Sequence, residues 1–326
     1  MNPFIASIAS LAAAATGVVP AAPIEAAAEG TAAPVRIALE IHVENSIDPP
    51  AEMRTVADMA RAATRHGIDL TFSLDETMLR YLATAPAALK LQLARWEANG
   101  HSFGLHAGMD GLSTVAAEAH LAAMVADFTA AFRHAPTTVS GACTGDSDWI
   151  SPVIDNGLTV VAGTITYCEH SLDPTAYAGS ALEAEVLRSQ ARCTSPGRCH
   201  DPAPASDDTQ RVIPWTTSDA ATWLTPDAGG AVTIVSTLGS TSMECGSEGR
   251  AGSCAFDATG DAAAFVSLTG EARMAGGGSS ATTLHMAWST NNRPERAYVE
   301  ELFTAIAGSI SAAGPVEWTT LAGLAA

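Results

Sequence analysis

From Val35 onward the hydrophobic pattern switches repeatedly between two periods. VRIALEIHVE (35–44) is apolar and β-branched, as in a strand, and AEMRTVADMARAATRHG (51–67) spaces Met53, Val56, Met59 and Ala60 as a helix does before stopping at Gly67. The same reading predicts strands at 68–74, 101–106, 137–142 and 158–164. Helices are predicted at 75–100, as one long or Pro86-broken helix ending at Gly100, at 112–134 and at 148–157. Strand and helix alternate without hairpin signals, which predicts an α/β protein built on a parallel sheet or barrel.

Beyond this stretch the regularity lapses. Residues 166–211 carry Pro, Asp, Ser and two cysteines with little periodicity, and read as an insertion; a second irregular stretch, 239–281, contains AGGGSS. Strand-like segments resume at 211–215, 231–238 and 282–288, and a last helix is predicted over 294–314, with a proline in its first turn and a terminal glycine. No internal repeat of fixed period is found. The organisation predicted is a leader over 1–30 followed by one domain over 31–326. The apolar run Phe4–Val19 is shorter than a membrane span of about 20 residues and is followed by small residues, so it reads as a signal peptide, although no Lys or Arg precedes it.

Composition narrows the classes. Across 326 residues, 47% are hydrophobic, which argues against general disorder, and 35 acidic against 16 basic side chains give a formal charge of −19. A chain so acidic, with Lys90 as its single lysine, is poorly suited to neutralising phosphates, so nucleic acid is excluded as a partner and neutral or cationic substrates are favoured. Six cysteines fall at 143, 168, 193, 199, 245 and 254. The short loops CTSPGRC and CGSEGRAGSC lack zinc-type C-x-x-C spacing and read as disulfides, Cys193–Cys199 and Cys245–Cys254, leaving Cys143 with Cys168. An oxidising compartment follows, and the protein is expected to be secreted or periplasmic.

Parallel barrels place their chemistry at the carboxyl ends of the strands. That rim is predicted to hold Glu40, His42 and Glu44 from the first strand, His106 after the third, Asp110 four residues later, and His285 on the last strand. An H-x-E pair at spacing two puts both side chains on one face of a strand. His101, preceding a strand, is expected to hydrogen-bond the backbone.

The stretch HGIDLTFSLDETMLRYL…LARWEANGHSFGLHAGMDG resembles the polysaccharide deacetylase family of metal-dependent carbohydrate esterases, and GHSFGLH (100–106) carries the match best. The resemblance implies a distorted (β/α) barrel of about seven strands, hydrolytic removal of acetyl groups from a polysaccharide or oligosaccharide, and a divalent metal, most simply zinc. It maps the metal ligands onto Glu44, His106 and Asp110. His42 then stands near the base position, and TLHMAW (283–288) brings His285 to that of the general acid. The departures are specific: EIHVEN lacks the family's adjacent aspartates, and VSGACTGDSDW (139–149) lacks its arginine. A metal so held would lower the pKa of its water and polarise a carbonyl, while a histidine protonates the leaving group. One histidine with two carboxylates also suits non-haem iron. Asp146, Asp148, Trp149 and Trp288 are candidate sugar contacts; a helix start explains the two aspartates equally well, and Trp215 and Trp288 also fit a core. A non-catalytic carbohydrate-binding protein and a glycosidase are the competing functions on this scaffold.

Overall fold

Alternation along VRIALEIHV makes β1 (Val35–Val43) the strand on which the sheet is organised. Ile37, Leu39, Ile41 and Val43 join the main core with helix residues such as Val56, Met59, Phe265 and Leu302, while Ala38, Glu40 and His42 occupy the opposite face. The structure is a computed structural model and describes residues 33–44, 46–145, 147–193, 195, 199–200, 203, 208–238, 256–290 and 293–324. The predicted leader, Cys245, Cys254 and Asp146 lie outside the described residues.

The sheet contains β2 (Leu70–Leu74), β3 (Ser102–His106), β4 (Thr138–Ser140), β5 (Val160–Ala162), β6 (Trp215–Thr217), β7 (Val232–Val235), β8 (Thr283–Ser289) and β9 (Val316–Trp318). Its order is β6-β7-β5-β4-β3-β2-β1-β8, with β9 also pairing with β1; each pairing is parallel except β6 with β7. Among the described residues the ladder does not close between β7 and β8. A side-chain link spans that gap, where Thr237 Oγ1, just after β7, donates to the His285 carbonyl of β8 at 2.9 Å. The expected α/β architecture with a central parallel sheet is therefore present.

Helices follow the strands as the pattern predicts. α1 (Pro49–Arg65) starts where Asp48 accepts from the Ala51 amide, with proline in its first turn. Pro86 divides the predicted 75–100 helix into α2 (Glu76–Ala83), capped by Asp75, and α3 (Ala87–Ala98). α4 (Thr114–Phe132) and α5 (Ile150–Asp155) complete this half. By length and composition α4 is the one described helix able to cross a membrane, yet Ala117, Leu121, Met124 and Phe128 on it are buried in the protein.

The second half departs from expectation in three places. The 166–211 stretch holds 3-10 turns at Thr166–Ser171 and Pro174–Tyr177 and a helix, α6 (Glu183–Arg192). The 211–215 strand is displaced: α7 (Asp208–Val212) ends in it, and β6 begins after Pro214 as an antiparallel edge strand. Within 239–281, expected to be irregular throughout, 258–275 form α8 (Ala258–Ala275). Its buried positions Ala258, Asp261, Ala262, Phe265, Thr269 and Ala272 keep helical spacing, but small and polar residues hide the apolar stripe. α9 (Arg296–Ser309) ends the regular series.

Among the described residues two disulfides are present, both as predicted: Cys193–Cys199, and Cys143–Cys168, which joins the segment after β4 to the first 3-10 turn. At the amino-terminal end of the strands the chain after β9 seals the interior. Leu321 and Leu324 pack with Ala38, Val160, Ala162 and Val235, and the Leu321 amide donates to Thr71 Oγ1 at 2.9 Å.

Candidate metal centre

Residues paired across parallel strands point to the same side, so the register fixes what faces the interior. With Glu40 and His42 stand Thr71 and Ser73 of β2, Gly104 and His106 of β3, Ser140 of β4, and His285 and Ser289 of β8. A side chain at Gly104 would collide with Thr138 Oγ1, which lets β3 and β4 approach closely. Gly141, at φ +62°, passes over the His106 ring; a Cβ there would lie 3.2 Å from Cε1.

At the carboxyl ends of the strands one ligand atom each from His42, Glu44 and His106 lies within 4.8 Å of the others. His106 Nε2 is 3.0 Å from Glu44 Oε2, and the His42 and His106 ring centroids are 4.4 Å apart. These three side chains retain 16–18% exposure, enough to meet solvent. Ser140 Oγ lies 3.0 Å from His106 Nδ1 and 3.5 Å from the Leu105 carbonyl; when the hydroxyl donates to the carbonyl it accepts the Nδ1 proton of the ring. With the ring proton on Nδ1, the Nε2 lone pair is aimed at a carboxylate oxygen, and two acceptors so close are bridged by a cation, a proton or a metal. Burial pushes the Glu44 carboxyl up, but His106, His42 and a hydrogen bond with Ser289 outweigh it and hold Glu44 well below the carboxylate range. Two imidazoles and an ionised carboxylate are a donor set that fits a divalent ion such as zinc or iron.

Immediately below lies a fully buried layer. Glu40 accepts from Ser73 Oγ and from His285 Nε2, the latter at 2.9 Å, and its Oε2 is 3.3 Å from His42 Nε2. Burial raises the Glu40 carboxyl, whereas the charge of His42 and the bonds to His285 and His42 lower it further, so the net shift is well below the ordinary value.

The structure rearranges the expected roles. Glu44 and His106 come together as predicted, and His42, expected as the base, stands among the donors. Asp110 is exposed on the turn four residues after His106 and is not part of the donor group. His285, expected as the general acid, is fully buried four residues deeper along the strands than His42, so it meets Glu40 and not the open end. Asp148 accepts from the Ile150 and Ser151 amides at the start of α5, a capping role. Trp149 and Trp288 are fully buried: Trp149 packs edge-on against Trp223, and Trp288, on the outward face of β8, lies between Phe265 and Phe303. Both belong to the core and not to a sugar platform. His101 is structural as expected, accepting from the Leu70 amide at 3.2 Å, with Nε2 3.1 Å from the Ala60 carbonyl. Glu40 had no assigned role, although its place two residues before His42 is the signal that could have found it. Ser140 and Ser289 had no local signal.

No protein-family model matches the chain, and no curated protein matches it either. Among solved structures, a candidate polysaccharide deacetylase from Mycobacterium smegmatis is 12% identical, covering 95% of this chain and 94% of that one at a TM-score of 0.51. A family 4 acetyl xylan esterase from Clostridium thermocellum, solved with cobalt, is 17% identical at a TM-score of 0.29, and the match spans 39% of this chain and 57% of that one. A peptidoglycan deacetylase from Bacillus subtilis is 14% identical, over 48% of this chain and 68% of that one, at a TM-score of 0.29. The Mycobacterium smegmatis structure is thus similar along nearly the whole length of both chains, and the fold is deacetylase-like.

Proposed function

We propose that this protein is an exported, divalent-metal hydrolase of the deacetylase type, in which water cleaves an acetyl group from a polysaccharide or oligosaccharide to leave acetate and a free amine or hydroxyl. The observation that carries the reading is the convergence of His42, Glu44 and His106 at the carboxyl ends of a deacetylase-like parallel sheet. Glu44, His106 and His42 would hold the ion, His42 taking the place predicted for Asp110. When bound, a divalent ion activates water and polarises a carbonyl. The chain's own residues prepare that site: Ser140 fixes the His106 ring, Ser289 and the two imidazoles keep Glu44 ionised, and Gly141 keeps the approach to His106 unobstructed. Zinc is the ion proposed, and the disulfides support a secreted or periplasmic location.

One observation favours a second reading, a non-catalytic carbohydrate-binding protein. His285, the expected proton donor, is sealed from the open end. Zinc titration of metal-stripped protein by calorimetry, followed by acetate assay on an acetylated oligosaccharide, separates the two. One zinc per chain with acetate release is expected. Absence of zinc uptake overturns the hydrolase reading; zinc uptake with oligosaccharide binding and no acetate moves the protein to the binding class. New reducing ends instead of acetate mark a glycosidase.

A further inference from the structure

Glu40 is the one fully buried carboxylate on the inner face of β1, and three strands converge on it. Ser73 of β2 donates to Oε1, His285 of β8 bonds Oε2 at 2.9 Å, and His42 Nε2 faces the same oxygen from β1 at 3.3 Å. An ionised carboxylate taken from water is strongly unfavourable unless donors surround it. His285 contributes through Nε2 alone, because its Nδ1 is buried with no hydrogen-bond partner among the described residues. A neutral ring carries one N–H, so the contact requires that proton on Nε2. Oε2 then has a lone pair left for His42.

We propose that Glu40 is a positioning residue that, anchored by His285 below and Ser73 beside it, accepts the Nε2 proton of His42 and so turns that ring to offer Nδ1 to the metal. The assignment rests on the metal-centre reading, but its central claim, one tautomer of His42 set by Glu40, belongs to the metal-free protein as well. Glu40 touches neither the open end nor the ion, and it acts through His42. It also gives His285 a function suited to its depth: an anchor for the carboxylate in place of a proton donor to substrate. His42 and His106 would then meet the ion through opposite ring nitrogens, each fixed by a partner on the far side, Glu40 for one and Ser140 for the other.

The test pairs nitrogen-15 NMR of the imidazoles in metal-free protein with zinc calorimetry on wild type, Glu40→Gln and Ser73→Ala. Wild type is expected to show His42 as the Nε2–H tautomer alone. Glu40→Gln is expected to lose that preference and to bind zinc about 10–100-fold more weakly, the usual effect of removing a partner behind a metal-bound histidine. Ser73→Ala, which keeps the carboxylate, is expected to retain the tautomer and lose less than about fivefold. An unchanged His42 tautomer with zinc affinity within twofold of wild type in Glu40→Gln overturns the proposal. Should Glu40→Gln not fold, the wild-type spectrum decides: Nδ1–H, or an even mixture, on His42 is incompatible with the assignment. If wild type takes up no zinc, the metal reading falls, while the tautomer still tells whether Glu40 orients His42.

Discussion

Among the described residues two carboxylates, Glu40 and Glu169, are wholly removed from water, and their surroundings differ. Glu40, inside the sheet, has Ser73, His285 and His42 on its oxygens, and these outweigh burial to keep it ionised. Glu169, in the first 3-10 turn of the 166–211 insertion, has Ser189 on one oxygen and no partner on the other among the described residues. Burial there pushes the carboxyl up to about 7; Glu185 adds to the rise, while Ser189, Arg188 and Arg211 oppose it. The contrast teaches where a charge can be buried. Adjacent strands in fixed register bring several donors to one point, whereas a short helical insertion supplies few, and its carboxyl responds by holding its proton.

The largest expected effect tests the sheet side of the comparison. His285→Leu withdraws a donor from a charge that cannot reach water, and is expected to cost about 3–5 kcal/mol in urea unfolding. A loss below about 1 kcal/mol would mean that Glu40 does not depend on its ring of donors.

The insertion side predicts a pH dependence of known sign. Glu169 binds its proton more tightly in the folded than in the unfolded chain, where a glutamate titrates near 4.5. Its contribution is therefore fully present below about 4.5 and is lost as pH rises through about 7, a change on the order of 3 kcal/mol at roughly 1.4 kcal/mol per pH unit. Glu169→Gln should remove this slope from a series of unfolding curves between pH 4 and 8. A slope unchanged by that substitution would assign it elsewhere.

The open rim above Glu40 extends the comparison from protons to metal. His106→Ala leaves two donors and is expected to weaken zinc binding at least about a hundredfold, or about 2.7 kcal/mol, with an unchanged circular dichroism spectrum. Asp110→Asn should produce the smallest effect, a zinc affinity within about twofold of wild type, because Asp110 lies outside the donor group. A tenfold loss in Asp110→Asn would restore that residue to the set predicted from its spacing.

How much of this was legible beforehand follows from the range of each interaction. The βα alternation over 35–164 was readable because each element carries its own period and its own stop, such as Pro86 or Gly67. α8 escaped because small and polar residues mask its stripe, and the β6–β7 pairing because an antiparallel edge strand of three residues has no periodicity to detect. Glu44 and His106 were recognisable from strand-end position and the GHSFGLH match. The exchange of Asp110 for His42 was not, since spacing four in a turn does not specify a direction.

By itself the sequence determined the alternating elements over 35–164, that a parallel sheet would gather polar side chains at one end, and that His42, Glu44, His106, Asp110 and His285 were the candidates for chemistry. Only the tertiary structure decided their depth and company. Strand register places His285 beside Ala38, four residues below His42, and that one offset sets an expected proton donor against Glu40. The physical reason is that local periodicity sets which face a side chain takes, while its height within the sheet and the partners across from it depend on pairing with distant strands, as Glu40 and His285 meet from 245 residues apart.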